Sequence, residues 1–359
     1  MLVELAWFTA GLMLLIAGGD LLVRGASQIA ARFGVSRLVV GLTVVALGTS
    51  APELAVSVQA GLSNKPDIAV GNVVGSNIFN VLFVLGIAAL IAPLTVNRQL
   101  VRSEVPIMIG ASLLMLVLAL DGVVSTFEGL LLAALLAAYV FFTVRASRRE
   151  IAAAVGAPAL EAAAAGGGLA TNLPLQLGAI VLGLGLLVLG AGWLVGSAIA
   201  VARALGVSDL VIALTIVAVG TSMPEVVTSI IATIKGERDI AVGNVVGSSI
   251  FNILGILGIA SIVTPGGLLV APAVLNFDIP VMIAAAVACL PIFFTAHLIA
   301  RWEGLLFLGY YVAYTTYLIM MAVEHEALPA YSAVMLGFVL PITAITLLVL
   351  GARALRVRR

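Results

Sequence analysis

The chain reads DIAVGNVVGSNIFN from Asp67 to Asn80 and DIAVGNVVGSSIFN from Asp239 to Asn252, a difference of one residue in fourteen. The segments before them match as well: GVSRLVVGLTVVALGTSAPE begins at Gly34, and GVSDLVIALTIVAVGTSMPE begins at Gly206. In both pairs the second copy lies 172 residues after the first, so the two copies align without an insertion or deletion. Such agreement indicates that one structural unit occurs twice in the chain.

The composition indicates a chain that lies in a lipid bilayer. Of its 359 residues, 63% are hydrophobic and only 9% are charged, and the mean hydropathy is +1.26. A soluble domain is about half apolar and a quarter charged, so no soluble core could contain this much apolar sequence. The single cysteine, Cys289, excludes a disulfide framework and a thiolate metal cluster. We expect the lipid bilayer as a partner and no nucleic acid.

Apolar runs of about 20 residues recur along the chain and predict eleven transmembrane helices. The first run is too long for the apolar core of a signal peptide, so it is interpreted as a span. The eleven spans are placed near residues 5–31, 37–62, 68–92, 103–121, 125–144, 174–202, 209–234, 240–263, 274–295, 301–322 and 331–352.

The duplication groups the first ten spans into two sets of five. Residues 1–145 form the first repeat and 174–322 the second, joined at 146–173 by a flexible cytoplasmic linker rich in Ala and Gly. Residues 323–359 hold an extra transmembrane helix and a basic cytoplasmic tail. Because five is an odd number, the second copy enters the membrane from the other side. The predicted fold class is an all-α polytopic membrane protein, with two inverted five-helix repeats and an eleventh C-terminal helix.

The basic residues predict the orientation of the chain, since cytoplasmic loops carry an excess of Lys and Arg. With the N-terminus outside, fourteen of the seventeen fall at cytoplasmic ends or loops, and only Lys65 and Arg203 lie outside. The last, Arg24, lies within the first span. We therefore expect a multi-pass protein of the inner (plasma) membrane, with an external N-terminus and a cytoplasmic C-terminus.

Spans 2 and 7 each carry a polar stripe that contains one carboxylate. Spacings of three and four residues place hydroxyl groups beside the carboxylate on one helical face. Pro52 and Pro224 lack an N–H and crowd the carbonyl four residues back, so carbonyls in the preceding turn should be partly free. The stripes consist of Ala46, Thr49, Ser50, Glu53 and Ser57 in span 2 and of Ala218, Thr221, Ser222, Glu225 and Ser229 in span 7.

Spans 3 and 8 carry a second polar motif whose members are four residues apart. Together with the stripes it forms an all-oxygen cluster near mid-depth, which suits hard cations such as Ca²⁺. The cluster contains no His or Cys, which argues against zinc or copper. No Lys or Arg lies in either stripe, so Glu53 and Glu225 are interpreted as ion ligands rather than as bridges between helices. The motif consists of Asn72, Ser76 and Asn80 in span 3 and of Asn244, Ser248 and Asn252 in span 8.

These motifs resemble the two alpha-repeats of the calcium/cation antiporter superfamily, and most of all its prokaryotic sodium/calcium exchangers. The resemblance covers spans 1 to 10. It rests on GTSAPE and GTSMPE, each followed by GNVVGSNIFN or GNVVGSSIFN. It implies ten core helices, with ion sites at mid-membrane between spans 2, 3, 7 and 8. It also implies alternating access by sliding of spans 1 and 6 against the rest.

The resemblance further implies a role for each matching residue. Glu53 and Glu225 would be carboxylates shared by Ca²⁺ and Na⁺, and Asn80 and Asn252 would line the centre. Thr49 and Thr221 would join the calcium site through their main-chain carbonyls. The flanking sodium sites would be formed by Ala46 and Ser50 with Ser76, and by Ala218 and Ser222 with Ser248.

Two features depart from the family pattern. Many relatives have Asp at the position of Asn80 or Asn252, and the potassium-dependent branch resembles that pattern. Both are Asn in this chain, which predicts a fixed charge of two and argues against potassium co-transport. The eleventh span has no counterpart in the ten-helix core.

We expect a secondary active antiporter that exchanges Ca²⁺ for Na⁺ by alternating access. An empty site with two ionised glutamates is costly to occlude in a low dielectric, so only filled carriers would cross. One alternative is a H⁺/Ca²⁺ exchanger or other cation antiporter, because paired carboxylates can bind protons. A cation channel is less favoured. The sequence contains no nucleophile–base constellation of an enzyme, and no cofactor is expected besides the transported ions.

The charge pattern predicts that the two termini lie on opposite sides of the membrane. In a Cys289→Ser background, a single cysteine near the N-terminus should react with an impermeant maleimide added outside intact cells. A cysteine in the basic tail should react only after the cells are opened. Labelling of both termini from one side would contradict the orientation or the eleventh span.

Overall fold

The structure of the chain, a computed structural model, describes residues 2–63, 65–155, 172–205, 218–294, 297–346 and 349, and these are almost entirely helical. Nine helices in these ranges are long and apolar enough to cross a membrane, and a bent pair in span 2 makes ten. Spans 1 to 5 are formed by Leu2–Phe33, Arg37–Thr49 with Ala51–Leu62, Pro66–Ile91, Leu100–Leu118 and Thr126–Val155. Spans 6 to 11 are formed by Leu173–Ala204, Ala218–Gly220 with Met223–Ile234, Arg238–Val263, Val274–Phe294, Arg301–Ala322 and Leu328–Thr346.

These bounds confirm the predicted all-α multi-pass fold, in which an eleventh helix follows the ten-helix core. The helix of span 5 continues to Val155, ten residues into the segment predicted as a linker, because Ala, Arg and Glu are strong helix formers. The rest of the linker up to residue 171, and the first half of span 7 at 206–217, lie outside the described residues.

The pairing of four two-residue strands shows that the two repeats are inverted relative to each other. After span 3, β1 (Leu94–Thr95) pairs antiparallel with β4 (Leu298–Ile299), which follows span 9. After span 4, β2 (Val123–Val124) pairs antiparallel with β3 (Leu268–Leu269), which follows span 8. The duplication relates β1 to β3 and β2 to β4, so each pairing is the image of the other. The two halves are therefore related by a pseudo-two-fold axis.

Spans 1 and 6 cross at glycines that are also images of one another. A Cβ atom added to Gly18 would lie 2.7 Å from the carbonyl oxygen of Gly183, and one added to Gly11 would lie 2.8 Å from that of Gly190. The offset of 172 relates Gly11 to Gly183 and Gly18 to Gly190. Small residues let the two backbones touch, as at other close crossings of membrane helices.

Spans 3 and 8 run through the middle of the bundle. Every residue from 240 to 258 in span 8 is buried. Gly86 of span 3 packs against the backbone of Gly304 in span 10, and Gly258 of span 8 packs against that of Gly129 in span 5. A Cβ atom on either Gly86 or Gly258 would meet the facing carbonyl at 3.0 Å. These symmetric contacts hold the two central spans in place.

The glycine crossing predicts a position-specific loss of stability. Gly18→Ala should lower the thermal unfolding midpoint in detergent, because spans 1 and 6 must separate; overpacking of this kind costs about 1–3 kcal/mol. Gly185→Ala in span 6 is the matched control, since its added methyl group would meet no described atom within 4 Å. Equal midpoints for the two variants would contradict the close crossing.

Candidate ion-binding site

The polar stripes of spans 2 and 7 meet at a break in each helix. Span 2 bends by 45° at Ser50, whose dihedral angles (φ −82°, ψ 7°) leave the helical range. Ser222 occupies the image position in span 7 with nearly the same angles (φ −88°, ψ 8°). Pro52 and Pro224 fall in the first turn of the helix after each break, where a missing N–H is tolerated. The prolines therefore restart the helices directly beside the site.

Spans 3 and 8 each present an asparagine at the start of a π-helical segment. The segments are Asn80–Val84 and Asn252–Leu257, at image positions of the two repeats. Such segments interrupt the regular α-helical ladder and frequently occur at functional sites. Both asparagines are buried at the centre of the bundle.

Each carboxylate accepts a hydrogen bond from a serine of the other repeat. The Ser50 hydroxyl donates to Glu225 Oε1 (2.9 Å), and the Ser222 hydroxyl donates to Glu53 Oε1 (2.8 Å). Both glutamates are 1% exposed. The ion pairs of the described residues lie elsewhere, so hydroxyl groups rather than cations face these two carboxylates.

Four buried acceptor oxygens at the centre have no hydrogen-bond donor among the described residues. They are Oε2 of Glu53 and of Glu225 and Oδ1 of Asn80 and of Asn252. Leaving a buried polar group unpaired costs about 1–3 kcal/mol, and more when the group is charged, so most such groups are paired. Carboxylate and amide oxygens are ligands that hard cations prefer. We call these four oxygens the central quartet; each of them can serve as a ligand of a metal cation.

Other predicted ligands lie around the central quartet. The Thr49 hydroxyl donates to Asn244 Oδ1 (3.0 Å), and the Oγ atoms of Ser76 and Ser222 lie 3.4 Å apart. The Thr221 hydroxyl is buried and has no hydrogen bond within the described structure. The backbone of Ala218 is helical, whereas its side chain lies outside the described part of the chain.

The prediction that proline frees the carbonyls before the break holds only in part. The Ala46 carbonyl accepts the Ser50 N–H (3.1 Å) and lies 3.5 Å from the Ser248 hydroxyl. The Ser50 carbonyl accepts the N–H of Leu54 (3.1 Å). The missing N–H of Pro52 thus affects the carbonyl of Gly48, four residues back, whereas the carbonyls of Ala46 and Ser50 stay bonded.

Asn72 and Asn244 clamp the carboxylate-bearing helices from the side. Asn72 Nδ2 donates to the backbone carbonyl of Glu53 (3.1 Å) and to Ser57 Oγ (2.9 Å). Asn244 makes the image contacts in the second repeat, at 3.5 and 3.0 Å. These two asparagines therefore position the glutamates and use their amide groups on protein partners.

Asn77 is a neighbour of the site that is absent from the predicted ligands. The Nδ2 atom of Asn252 donates to Asn77 Oδ1 (3.2 Å), which leaves the Oδ1 atom of Asn252 for the central quartet. Ser249 stands at the image position, and its hydroxyl donates to the Val245 carbonyl of its own helix (2.9 Å). The signal that could have revealed Asn77 is that it is the one difference between the two 14-residue copies.

Two further carboxyl groups, those of the buried Glu104 and the half-buried Asp278, lie outside the central quartet. The Tyr139 hydroxyl donates to Glu104 Oε2, and the Tyr314 hydroxyl donates to Asp278 Oδ1, both at 2.8 Å. The pairs are images of each other and join span 4 to span 5 and span 9 to span 10. Because each carboxyl group has a protein donor, these pairs fasten helices together.

Comparison with known proteins identifies relatives over nearly the whole chain. Residues 3–145 and 175–320 match the family model described as sodium/calcium exchanger protein. The sodium/calcium exchanger MaX1 of Methanosarcina acetivorans is 36% identical over 347 residues, which cover 85% of this chain and 95% of that protein. The inner membrane protein YrbG of Escherichia coli is 36% identical over 290 residues, 80% of this chain and 87% of that protein. A solved structure of the sodium-calcium exchanger NCX_Mj superposes with a TM-score of 0.74 at 32% identity and covers 87% of this chain and 97% of its own.

Removal of one carboxylate should abolish high-affinity binding of Ca²⁺. Glu53→Gln and Glu225→Gln each keep the size of the side chain and remove half of the charge. We expect affinity to fall more than about 100-fold, because outer partners of metal ligands alone typically account for 10–100-fold. Isothermal titration calorimetry of the purified protein measures the change. Glu104→Gln, equally buried but bonded to Tyr139, is the control, and a matching loss in that variant would contradict the assignment.

Proposed function

The chain belongs to the sodium/calcium exchanger protein family, and from this premise we propose that it exchanges Ca²⁺ for Na⁺ across the membrane by alternating access. Membership of this family makes the chain a multi-pass cation antiporter of the exchanger type. The identity of the exchanged ions and of their ligands is our proposal. The observation that carries the proposal is the central quartet of unpaired oxygens on Glu53, Glu225, Asn80 and Asn252. Two carboxylates neutralise one Ca²⁺, and the amide oxygens extend its coordination toward the six to eight oxygens that Ca²⁺ takes.

The charge of the site explains why transport is an exchange. Two ionised carboxylates without a counter-cation cannot be enclosed in a low dielectric at tolerable free energy. A site filled with one Ca²⁺ or with several Na⁺ is neutral or nearly so and can be enclosed. Only the filled carrier then changes sides, and each Ca²⁺ moved one way requires Na⁺ moved the other way.

We assign the ligands by their place around the central quartet. Glu53 and Glu225 are shared by both ions, and the main-chain carbonyls of Thr49 and Thr221 complete the calcium site. The serine–glutamate hydrogen bonds across the repeats support this assignment, since a serine hydroxyl can turn its oxygen toward a sodium ion. The two flanking sodium sites consist of Ala46, Ser50 and Ser76 and of Ala218, Ser222 and Ser248.

Spans 1 and 6 are the proposed moving part, because they contact each other through bare glycine backbones and can slide together as a pair. Residues 1–145 and 174–322 are the two repeats, with a cytoplasmic linker at 146–173 and the additional helix and tail at 323–359. In the cell membrane the N-terminus faces outward and the C-terminus faces the cytoplasm, as the distribution of Lys and Arg favours.

A proton is the rival coupling ion, because protonation would also give each unpaired carboxylate oxygen a partner. Two of the four oxygens belong to the amides of Asn80 and Asn252, however. An amide oxygen can ligate Na⁺ but does not take up a proton at neutral pH. The hydroxyl groups around each glutamate likewise supply more ligands than a proton needs. The ligand set therefore favours sodium.

Calcium uptake into proteoliposomes tests the coupling ion. Vesicles loaded with Na⁺ should take up Ca²⁺ from a sodium-free medium, whereas choline-loaded vesicles at the same pH should not, because only Na⁺ can leave in exchange. Vesicles that carry the Glu225→Gln protein provide the background rate. Equal uptake from sodium and choline interiors, together with uptake that follows an imposed pH gradient, would contradict sodium coupling and support the proton alternative.

A further inference from the structure

Asn77 of span 3 links a buried sulfur atom to the central quartet. Its Nδ2 atom donates to the Sδ atom of Met282 in span 9 (3.4 Å), and its Oδ1 atom accepts the Nδ2 group of Asn252 in span 8 (3.2 Å). The Oδ1 atom of Asn252 is one of the four unpaired oxygens at the centre. All three side chains are buried. We call Met282, Asn77 and Asn252 the amide relay, because their hydrogen bonds run in series from one span to the next.

The methionine at its outer end gives the amide relay its direction. An asparagine amide has an acceptor end and a donor end of nearly the same size, so its neighbours decide which way it points. A thioether sulfur is a weak acceptor and has no hydrogen to donate. Met282 therefore favours the Nδ2 end of Asn77, which turns the oxygen of Asn77 toward Asn252. That oxygen in turn favours the Nδ2 end of Asn252, so the Oδ1 atom of Asn252 is left for the central quartet.

The two repeats differ at the middle member of the amide relay. The segments VPIMIGA around Met108 and IPVMIAA around Met282 align, so both repeats carry the methionine. Ser249 occupies the image position of Asn77, and its hydroxyl donates to the Val245 carbonyl of its own helix (2.9 Å). The methionine thus occurs twice, whereas the amide that joins it to a central asparagine occurs in the first repeat alone.

We propose that Asn77 is a positioning residue, which acts through Asn252 and holds the amide of Asn252 with its oxygen toward the transported cation. The inference rests on the proposed function, in which Asn252 is a cation ligand. An amide turned the other way would present its N–H groups, which repel a cation. Such N–H groups also donate strongly to carboxylates, so a reversed amide can compete with the cation for a glutamate. Asn77 prevents this reversal without being a ligand itself.

Titration calorimetry of the full chain with Ca²⁺ tests the effect on binding. Asn77→Leu keeps the size of the side chain and removes the acceptor. Affinity should fall about 10-fold, because the cation-bound state then holds an unpaired buried N–H. Ser249→Ala, at the image position, is the control and should bind like the wild type. In an Asn252→Asp background both terminal atoms of the side chain at that position are oxygens, so Asn77→Leu should no longer lower the affinity. A merely structural role of Asn77 would give the same loss in both backgrounds.

Thermal unfolding in a choline buffer free of metal cations separates the amide relay from the proposed function. Asn77→Leu and Asn252→Leu remove the same hydrogen bond, so the double variant should lower the unfolding midpoint by less than the sum of the single shifts. Ser249→Ala with Asn80→Leu, at the image positions, should give additive shifts. If Asn77→Leu does not fold, Asn77→Ser replaces it with the same expectations, since the hydroxyl of Ser249 bonds to its own helix.

Two results would overturn the proposal. One is additivity of the Asn77 and Asn252 shifts, and the other is an equal loss of calcium affinity in the Asn252→Asp background. Coupled shifts in a protein whose wild type does not bind Ca²⁺ would support the amide relay and contradict the proposed function.

Discussion

The rest of this structure depends on two carboxylates that are buried at the centre of a helix bundle and that form no ion pair with a basic side chain in the described ranges. In Glu53 and in Glu225, one carboxylate oxygen accepts a hydrogen bond from a serine of the opposite repeat, and the other has no donor among the described residues. Such groups are costly at membrane depth unless a cation accompanies them. Helix breaks at Ser50 and Ser222 and π-helical segments that begin at Asn80 and Asn252 accompany them, and these four polar side chains are buried as well.

Because of the inverted duplication, one short sequence motif that occurs twice is enough to form this centre. One motif supplies a carboxylate and a serine, and the pseudo-two-fold axis exchanges the serines between the repeats. The same symmetry recurs in the strand pairs, the glycine crossings and the carboxyl–tyrosine pairs at Glu104 and Asp278. The departures from symmetry then become informative. Asn77 accepts a hydrogen bond from Asn252 across the repeats, whereas Ser249 at the image position donates to its own helix.

Much of this architecture could be predicted from the sequence, because lipid imposes long apolar spans and the duplication imposes the inversion. The predicted bounds of span 10 agree with the helix Arg301–Ala322. The polar stripes likewise identified residues that meet at the centre. The hydrogen-bond partners could not be predicted, because spacing along a helix does not tell which repeat supplies the donor. The carbonyl of Ala46 was expected to be partly free, yet it accepts the N–H of Ser50. Pro52 lacks only its own N–H, and the N–H groups of nearby residues are still present. Asn72 and Asn244 have the spacing of ligands but use their amide groups as clamps.

The most direct test of the central claim is anomalous X-ray diffraction from crystals of the protein soaked in Ca²⁺. The account predicts an anomalous peak between Glu53 and Glu225, with carboxylate oxygens of both residues at about 2.3–2.6 Å, the usual distance for Ca²⁺ ligands. The peak should disappear when the crystals are grown from Glu53→Gln protein. A calcium peak elsewhere in the bundle, or one that survives this substitution, would contradict the account.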